Sequence, residues 1–448
     1  MILTSQLIGD RARAFALPYL KRAAGGVTRW LPISQPILLV GPGASARLGQ
    51  TLNDLGHRKV LIVTDEVVSA LGLLTPLTDA LTQGGTAFTV FDEVTADAPI
   101  PMLERGIQRF EEEQCDAIVA IGGGSVMDAA KAIGLSAANN KHPSKLVGYF
   151  KGRHGPAPIY AVPTTAGTGS EVTVAAVVSD PTVHLKRVIA DTRLVPRMAA
   201  LDPCLMTGLP AAVTAATGMD ALTHAVEAYI SQWCTEFTDQ MALAAVGMIY
   251  RNLPLAFANG QDLVAREKMA LASTYAGLAF TRANVGNVHA IAHQLGGWYH
   301  TPHGLANAIL LPSVLRFTGT AITSRLAELA VRSGLGQAGE SKARLAQKFL
   351  DSLDAMNRLL GIPRQLDALR AADIPALATA ACHEANTGYP VPKIMTQQDC
   401  ETLLRGLLPK RTRRAQVSPK AAPKVASKVA PELVAPKAAR KTRSAKAP

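Results

Sequence analysis

The 448-residue sequence has few cysteines, few aromatic residues and no long apolar run, and these shortages exclude several classes of protein. The five cysteines are odd in number and widely spaced, without a Cys-x-x-Cys pair, which excludes a disulfide framework and a zinc finger. No run of 18 consecutive apolar residues occurs, so we expect no membrane contact. Asp10, Arg11 and Arg13 stand where a signal peptide needs its apolar core, so we expect a cytoplasmic protein.

Acidic residues are also in short supply, but the excess positive charge is concentrated in one segment. The net charge is +12, and residues 410–448 hold twelve basic residues against one acid, Glu432. The remainder of the chain is nearly neutral, which argues against a nucleic-acid groove in the folded body. The segment is rich in Lys, Ala and Pro and is predicted to be disordered. It is either a solvated extension without function or a salt-sensitive tether for a polyanion or a shell protein.

A hydrophobic fraction of 48% excludes disorder of the whole chain, and the length suits two or three domains. Short apolar runs alternate with helical segments over residues 31–205, which predicts an α/β domain with a parallel sheet. Residues 206–409 carry helical periodicity punctuated by prolines 210, 254, 312 and 363, which predicts an all-helical domain. The expected strands are residues 37–40, 60–63, 87–91 and 117–121.

Residues 1–30 carry a loose apolar stripe at helical spacing. This stripe predicts an N-terminal helical arm that either packs on its own body or serves as an amphipathic docking or targeting peptide.

A glycine turn follows the most apolar of these runs. Gly122, Gly123, Gly124 and Ser125 come directly after the strand, and a helix is predicted from Val126 onward. Backbone N–H groups at such a turn, together with the helix dipole, favour a phosphate group. Tight packing alone is the alternative explanation of the glycines.

Two further polar features suit a nucleotide site. Asp65 ends the second strand, where a carboxylate can accept hydrogen bonds from the adenosine ribose and disfavour a 2′-phosphate, so NAD is preferred over NADP. The alternative is that Asp65 caps the helix starting near Glu66. A loop at 163–171 carries Thr164, Thr165 and Thr168 between glycines, a composition typical of a segment lying on a ligand.

Histidines and one aspartate occur at ligand spacing in the helical half. Asp220 and His224 are four residues apart, as are His289 and His293, and His303 follows in a short loop. Residues four apart share one face of a helix, so each pair can present two side chains to one point. Three neutral imidazoles with one carboxylate suit a divalent ion that acts as a Lewis acid on a substrate oxygen.

These motifs, in this order, resemble those of the iron-containing (group III) alcohol dehydrogenases over residues 33–409, nearest the branch of ethanolamine- and propanediol-utilisation enzymes and lactaldehyde reductase. The resemblance implies a dinucleotide-binding domain at 31–205, a metal-binding catalytic domain at 206–409 and a cleft between them. It implies that Asp220, His224, His289 and His303 bind the metal and that His293 is the catalytic, non-ligand histidine. The implied NAD contacts are Asp65 and Asp97 at the adenosine ribose, Gly122, Gly123, Gly124 and Ser125 at the pyrophosphate, and Thr164, Thr165, Thr168 and Lys186 at the nicotinamide half.

The implied activity is hydride transfer between NAD(H) and a small primary alcohol or aldehyde, with Fe²⁺ as the ion and Zn²⁺ as the alternative. A polyol or hydroxyacid dehydrogenase on the same scaffold is the competing hypothesis. The resemblance also implies a homodimer or higher homo-oligomer, and it raises a bacterial microcompartment as an alternative location. The sequence departs from the family pattern at residues 382–390, where a Cys…Asn-Pro-Arg segment is usual, and at Asp97, where relatives often have Asn.

Overall fold

The computed structural model describes residues 31–180, 185–337 and 339–409. These residues form fourteen α-helices and nine strands. The predicted N-terminal arm and basic tail lie outside the described residues. The strands are β1 Ile37–Val40, β2 Lys59–Val63, β3 Ala87–Phe91, β4 Ala117–Gly122, β5 Gly148–Tyr149, β6 Ile159–Pro163, β7 Ala175–Asp180, β8 Leu185–Ala190 and β9 Met198–Leu201. The helices are α1 Ala44–Asp54, α2 Glu66–Ala70, α3 Thr75–Gly84, α4 Ile100–Glu112, α5 Gly124–Asn139, α6 Ala211–Ile230, α7 Glu236–Ala258, α8 Leu263–Ala283, α9 Asn287–Tyr299, α10 His303–Thr318, α11 Thr323–Arg332, α12 Lys342–Leu359, α13 Ile374–Gly388 and α14 Gln397–Arg405.

The main sheet has six parallel strands in the order β1-β9-β6-β4-β2-β3. Its central strands are buried on both faces: Leu61 and Val63 pack into one hydrophobic cluster, while Val60 and Ile62 pack into another on the opposite side. Because both faces are covered, these strands are continuous apolar runs rather than alternating ones. The predicted α/β class and the parallel sheet are confirmed.

A second sheet, β5-β8-β7, was not predicted from the sequence. Its longest pairing is antiparallel, with Val177 opposite Val188. Only every other residue of β7 is buried: Ala176 and Val178 pack into the cluster that also contains α5. A half-exposed strand of this kind lacks the unbroken apolar run that identified the central strands.

The described residues beyond 206 form helices and no strands, as predicted. Two of the four prolines expected to punctuate the helices lie inside them instead, Pro254 in α7 and Pro312 in α10. Both helices continue through proline because their apolar faces are buried in one large cluster, and that burial outweighs the lost backbone hydrogen bond.

Two helical stretches, Glu236–Ala258 and His303–Arg332, are long and apolar enough to span a membrane by length and composition alone. We expected no such helix because the sequence has no run of 18 consecutive apolar residues. Neither stretch contains a run of that length. Of their most apolar 18-residue windows, 39% and 61% of the residues are buried inside the protein. Core helices of globular proteins can have the same length and apolar composition. The second stretch also begins with a candidate site residue, His303.

The carboxyl ends of β2, β4 and β6 meet at one edge of the main sheet. The hydroxyl of Thr64, just after β2, donates to the carbonyl of Ile121 over 2.8 Å, and the amide of Thr164 donates to the carbonyl of Gly122 over 3.0 Å. Open α/β sheets bind ligands at this edge. The fold therefore gathers the polar residues that follow three separate strands.

Candidate functional site

The glycine turn lies at the start of α5, whose N-cap is Gly123. No side chain among the described residues caps this helix end, so its first backbone N–H groups are available to a ligand. A β-carbon at Gly124 would lie 2.8 Å from Cγ2 of Thr168, which leaves no room for a side chain. The two loops that were predicted separately therefore touch each other.

The threonine loop packs over this turn. A β-carbon at Gly123 would lie 3.7 Å from Oγ1 of Thr165, and Thr164 is joined to Gly122 through its backbone amide. Thr164 is buried, whereas Thr165 is only half-buried. The hydroxyls of Thr165 and Thr168 thus lie beside the helix end that favours an anion.

A buried lysine fixes the far side of this loop. Nζ of Lys131 donates to five oxygens at 2.7–3.1 Å, which belong to Ser170, Thr173 and Ala175. Burial lowers its pKa to about 8 despite the attraction of Asp128. Asp128 in turn accepts hydrogen bonds from the Ser170 hydroxyl and the Val177 amide. Lys131 and Asp128 therefore couple α5 to the threonine loop and to β7.

Asp65 is a helix cap in this structure. It is the N-cap of α2, and its Oδ1 accepts a hydrogen bond from the Val68 amide over 2.9 Å. This is the alternative that the sequence left open. Capping occupies one carboxylate oxygen and leaves Asp65 at the carboxyl end of β2, so a ribose contact through the other oxygen stays a prediction.

Asp97 is bound to two other predicted cofactor residues. Its carboxylate pairs with Nζ of Lys186 over 2.7 Å, and its amide donates to the hydroxyl of Ser125 over 3.3 Å. Its backbone has φ +65°, which is uncommon for a residue other than glycine. The resemblance assigns Lys186 to the nicotinamide half of NAD and Asp97 to the adenosine ribose. Because the two side chains are in direct contact, their assignment to different halves of NAD stays a prediction.

Four side chains of the helical domain converge on one point. Asp220 and His224 come from α6, His289 comes from α9, and His303 is the first residue of α10. One candidate ligand atom from each lies within 4.8 Å of the others. Oδ1 of Asp220 is 3.6 Å from Nε2 of His303 and 4.0 Å from Nε2 of His289. These are the four residues expected to bind the metal.

Close helix packing produces this convergence. A β-carbon at Gly304 would lie 2.3 Å from the carbonyl oxygen of Ala216 in α6, so only glycine lets the start of α10 come so near α6. The ring of His224 stacks on Phe280 of α8, with centroids 4.2 Å apart.

The second ring nitrogens of two of these histidines are held by hydrogen bonds. Nδ1 of His289 is 2.6 Å from Glu227, whose carboxylate also accepts hydrogen bonds from the amides of Gly286 and Val288. Nδ1 of His224 is 3.3 Å from the carbonyl oxygen of Gly167 in the threonine loop. Donation from Nδ1 leaves Nε2 with its lone pair, which is the form that binds a metal.

Burial sets the charge of the cluster. It lowers the pKa of His224 and of His289, and lowers the pKa of His303 to about 4, so all three imidazoles are neutral at pH 7. Burial also raises the pKa of Glu227 to about 7. Neutral imidazoles beside a carboxylate form a donor set with net charge −1, which fits a divalent cation.

His293 lies beside the cluster but has a different partner. Its Nδ1 is 2.6 Å from Oε1 of Glu384, which also accepts a hydrogen bond from the hydroxyl of Tyr389 over 2.5 Å. Gln294 donates to the other oxygen of Glu384. Burial raises the pKa of Glu384, but the hydrogen bond and charge of His293, together with the hydrogen bonds of Tyr389 and Gln294, outweigh it and the net shift is downward.

Three residues of the site were not predicted from the sequence: Glu227, Glu384 and Asn307. Nδ2 of Asn307 lies 2.7 Å from Oδ1 of Asp220, inside the cluster. Glu384 and Tyr389 belong to the segment that departs from the family pattern, and that departure was the one available signal. For Glu227, its place on the same helix face as Asp220 and His224 was a signal too weak to separate it from other buried carboxylates.

Two sequence models of one family match almost the whole described chain. "Iron-containing alcohol dehydrogenase" matches residues 36–203, and "Fe-containing alcohol dehydrogenase family, C-terminal" matches residues 214–408. Among relatives, 1,3-propanediol dehydrogenase of Klebsiella pneumoniae is 41% identical over 369 residues, covering 82% of this chain and 95% of that protein. NAD-dependent methanol dehydrogenase of Bacillus methanolicus is 38% identical, with coverage of 83% and 98%. Lactaldehyde reductase of Escherichia coli is 37% identical, with coverage of 78% and 92%.

Solved structures of related oxidoreductases have the same fold as this chain. The crystal structure of a 1,3-propanediol oxidoreductase superposes with a TM-score of 0.81 at 38% identity, over 84% of this chain and 100% of that one. An alcohol dehydrogenase from Oenococcus oeni superposes with the same TM-score at 34% identity, over 84% and 99% of the two chains.

Proposed function

The chain belongs to the iron-containing alcohol dehydrogenase family, and from that premise we propose how its residues carry out the reaction of an NAD-dependent, metal-dependent alcohol dehydrogenase. The observation that carries the proposal is the convergence of Asp220, His224, His289 and His303 next to the loops that suit a dinucleotide. We assign dinucleotide binding to residues 31–205 and the metal site to residues 206–409. The substrate is a small primary alcohol or its aldehyde.

These four residues would hold a divalent ion, Fe²⁺ by family membership and Zn²⁺ as the alternative. The ion supplies Lewis acidity at the substrate oxygen, and NAD supplies the hydride acceptor. Glu227 orients His289 and the Gly167 carbonyl orients His224, so both imidazoles present their unprotonated nitrogen without a rearrangement.

The turn formed by Gly122, Gly123, Gly124 and Ser125 would bind the pyrophosphate through its backbone amides and the start of α5. Thr164, Thr165 and Thr168 would lie along the nicotinamide half. Lys186 reaches toward the helical domain, because its Nζ lies 3.9 Å from the point where a β-carbon would stand at Gly296. Its pairing with Asp97 supports a role at the nucleotide ribose.

His293 would transfer the proton that accompanies hydride transfer. It is not among the four converging residues, its ring stacks near that of His303 with centroids 5.3 Å apart, and its Nδ1 is held by Glu384. A histidine with one nitrogen fixed by a carboxylate presents the other in a defined direction. Glu384, itself held by Tyr389, would keep the ring of His293 in this orientation.

The three relatives are named for methanol, 1,3-propanediol and lactaldehyde, which supports a small substrate. A polyol or hydroxyacid dehydrogenase on the same scaffold is the alternative, and a panel of alcohols followed by NADH absorbance separates the two. No disulfide joins the five cysteines, all of which lie within the described residues, and this suits the reducing cytoplasm in which we place the enzyme. We expect a homo-oligomer.

Two histidines of one helix test the proposal. His289→Ala should reduce bound metal to below a tenth of the wild-type content and abolish turnover, because it removes a ligand. His293→Ala should keep the metal and lose about 100-fold in kcat, in the range that a positioned acid–base group contributes. Elemental analysis and NADH-linked assays measure both. Full metal content and turnover in His289→Ala would refute the assignment.

A further inference from the structure

Asn307 contacts three of the four residues of the candidate metal site, although it is not one of its four members. It lies in α10, one turn after His303, and its side chain is fully buried. Its Nδ2 is 2.7 Å from Oδ1 of Asp220, 3.1 Å from Nε2 of His289 and 3.1 Å from Nε2 of His303. One amide nitrogen therefore contacts three of the four atoms that would bind the ion.

Two of these three atoms are hydrogen-bond acceptors, and Nε2 of His303 is one in the tautomer that binds a metal. The carboxylate of Asp220 only accepts, and Nε2 of His289 carries a lone pair because Nδ1 of the same ring is engaged by Glu227. Lone pairs that point to a common centre repel one another unless something positive lies between them. The N–H hydrogens of an amide are the positive end of its dipole, and they occupy that place here.

The other end of the same amide has no partner. Oδ1 of Asn307 is buried and accepts no hydrogen bond from any described residue. Leaving a buried acceptor unpaired is unfavourable, so the amide is oriented for its nitrogen at the expense of its oxygen. Within the described part of the chain, Asn307 is also the one hydrogen-bond donor to Asp220.

We propose that Asn307 is a placeholder for the metal ion. Its amide hydrogens hold Asp220, His289 and His303 in the binding arrangement while the ion is absent, and the ion takes over that role when it binds. Asn307 is thus a positioning residue of the empty site. The inference rests on the proposed ligand set, and it concerns the stability of the metal-free protein rather than the reaction.

Asn307→Leu removes the donor at nearly constant size, and Asn307→Asp keeps the shape but places a second carboxylate beside Asp220. In the metal-free protein both variants leave the acceptors unsatisfied, whereas a bound ion satisfies them. The metal-free melting temperature should therefore fall by about 1–4 °C more than the metal-loaded one for Asn307→Leu. The difference should be larger for Asn307→Asp, because the ion also neutralises the added charge.

The experiment uses the full chain stripped with a chelator, then measured by calorimetry without metal and with saturating Zn²⁺ or Fe²⁺. Thr318→Val is the matched control, since Thr318 is a buried polar residue of the same helix whose hydroxyl, among the described residues, donates to the Val314 carbonyl. Its two melting temperatures should fall by equal amounts. A variant that folds only when metal is present supports the proposal.

Equal losses with and without metal in both Asn307 variants would show a packing role only and overturn the placeholder. A larger loss in the metal-loaded protein would overturn it as well. If the wild-type chain itself binds neither Zn²⁺ nor Fe²⁺, the proposed ligand set is wrong, and the placeholder role of Asn307 is refuted with it. Metal stoichiometry of the wild type separates that failure from the others.

Discussion

His289 and His293 lie four residues apart on α9, and their environments give them different chemistry. His289 is buried, joined to Glu227 and surrounded by the other candidate ligands. His293 is partly exposed and joined to Glu384. At the residue scale, the partner of the second ring nitrogen and the degree of burial decide which histidine suits a metal and which suits proton transfer.

The neutral state of the ligands predicts how metal retention depends on pH. Burial lowers the pKa of His303 to about 4, so protons compete for this imidazole only as the pH falls toward that value. We expect constant metal content between pH 8 and about 5.5, then loss through about pH 4. Dialysis at stepped pH followed by elemental analysis measures it. Half-loss near pH 6.5, where an ordinary histidine titrates, would contradict the prediction.

Glu384 supplies a second prediction at this scale. Glu384→Gln keeps the shape but removes the charge that holds Nδ1 of His293, so kcat should fall by about 10-fold or more, the scale of loss seen when a histidine-orienting group is removed. Metal content should not change, because the hydrogen bonds of Glu384 within the described part of the chain go to His293, Gln294 and Tyr389 and not to the four candidate ligands. The pH profile of kcat should shift as well, which a purely structural defect would not cause.

Tyr389→Phe is the matched control for Glu384→Gln. It removes one hydrogen bond to the same carboxylate and leaves the contact with His293 intact. A smaller loss of kcat is expected. If the two variants lose equally, or if Glu384→Gln also loses metal, Glu384 does not act through His293.

At the scale of elements, two glycines join the threonine loop to the helical half. Gly169 has φ +59°, and a β-carbon there would lie 2.7 Å from Cα of Gly277 in α8. One turn earlier in α8, Thr274 donates to the buried carboxylate of Glu171 over 2.7 Å. The backbones of the loop and the helix are therefore in direct contact, and a methyl group on either side would separate them.

Gly277→Ala tests this contact without changing a strained backbone. Alanine in a helix normally stabilises by about 0.5–1 kcal/mol relative to glycine. Here its β-carbon would lie 2.5 Å from Cγ2 of Val172 and 2.7 Å from the carbonyl oxygen of Gly169, so we expect a net destabilisation of about 1–3 kcal/mol. Weaker NADH binding should follow as the loop is displaced. Denaturant unfolding and NADH fluorescence titration measure the two effects.

Gly388→Ala is the control, because Gly388 ends α13 and no atom of the described residues lies within 4 Å of the added carbon. Stability should stay unchanged or rise by up to about 1 kcal/mol there, and NADH affinity should stay within experimental error of the wild type. Unchanged NADH binding in Gly277→Ala would show that the threonine loop does not need this contact.

At the scale of the whole molecule, the basic segment lies beyond the two family matches in the sequence. The second family match ends at residue 408, and residues 410–448 carry eleven of the twelve net positive charges. Deleting 410–448 should leave kcat and KM within two-fold of the full chain, since every candidate site residue precedes it. NADH-linked assays on both chains check this; a larger loss would connect the segment to catalysis.

The same deletion addresses the tether hypothesis. If the segment contacts polyanions, the full chain should bind DNA at low salt, lose that binding steeply as salt rises, and lose it altogether on deletion. Binding that is equal in both chains would place the contact in the folded body instead.

The sequence alone determined the class of fold and the order of the motifs. Unbroken apolar runs imply strands covered on both faces, and the i, i+4 pairs imply shared helix faces, because both are local consequences of strand and helix periodicity. Tertiary structure decided which residues complete the site. Glu227 meets His289 across 62 residues, Asn307 meets Asp220 across 87, and Glu384 meets His293 across 91. No local spacing encodes such contacts, since they arise only when α6, α9, α10 and α13 pack together.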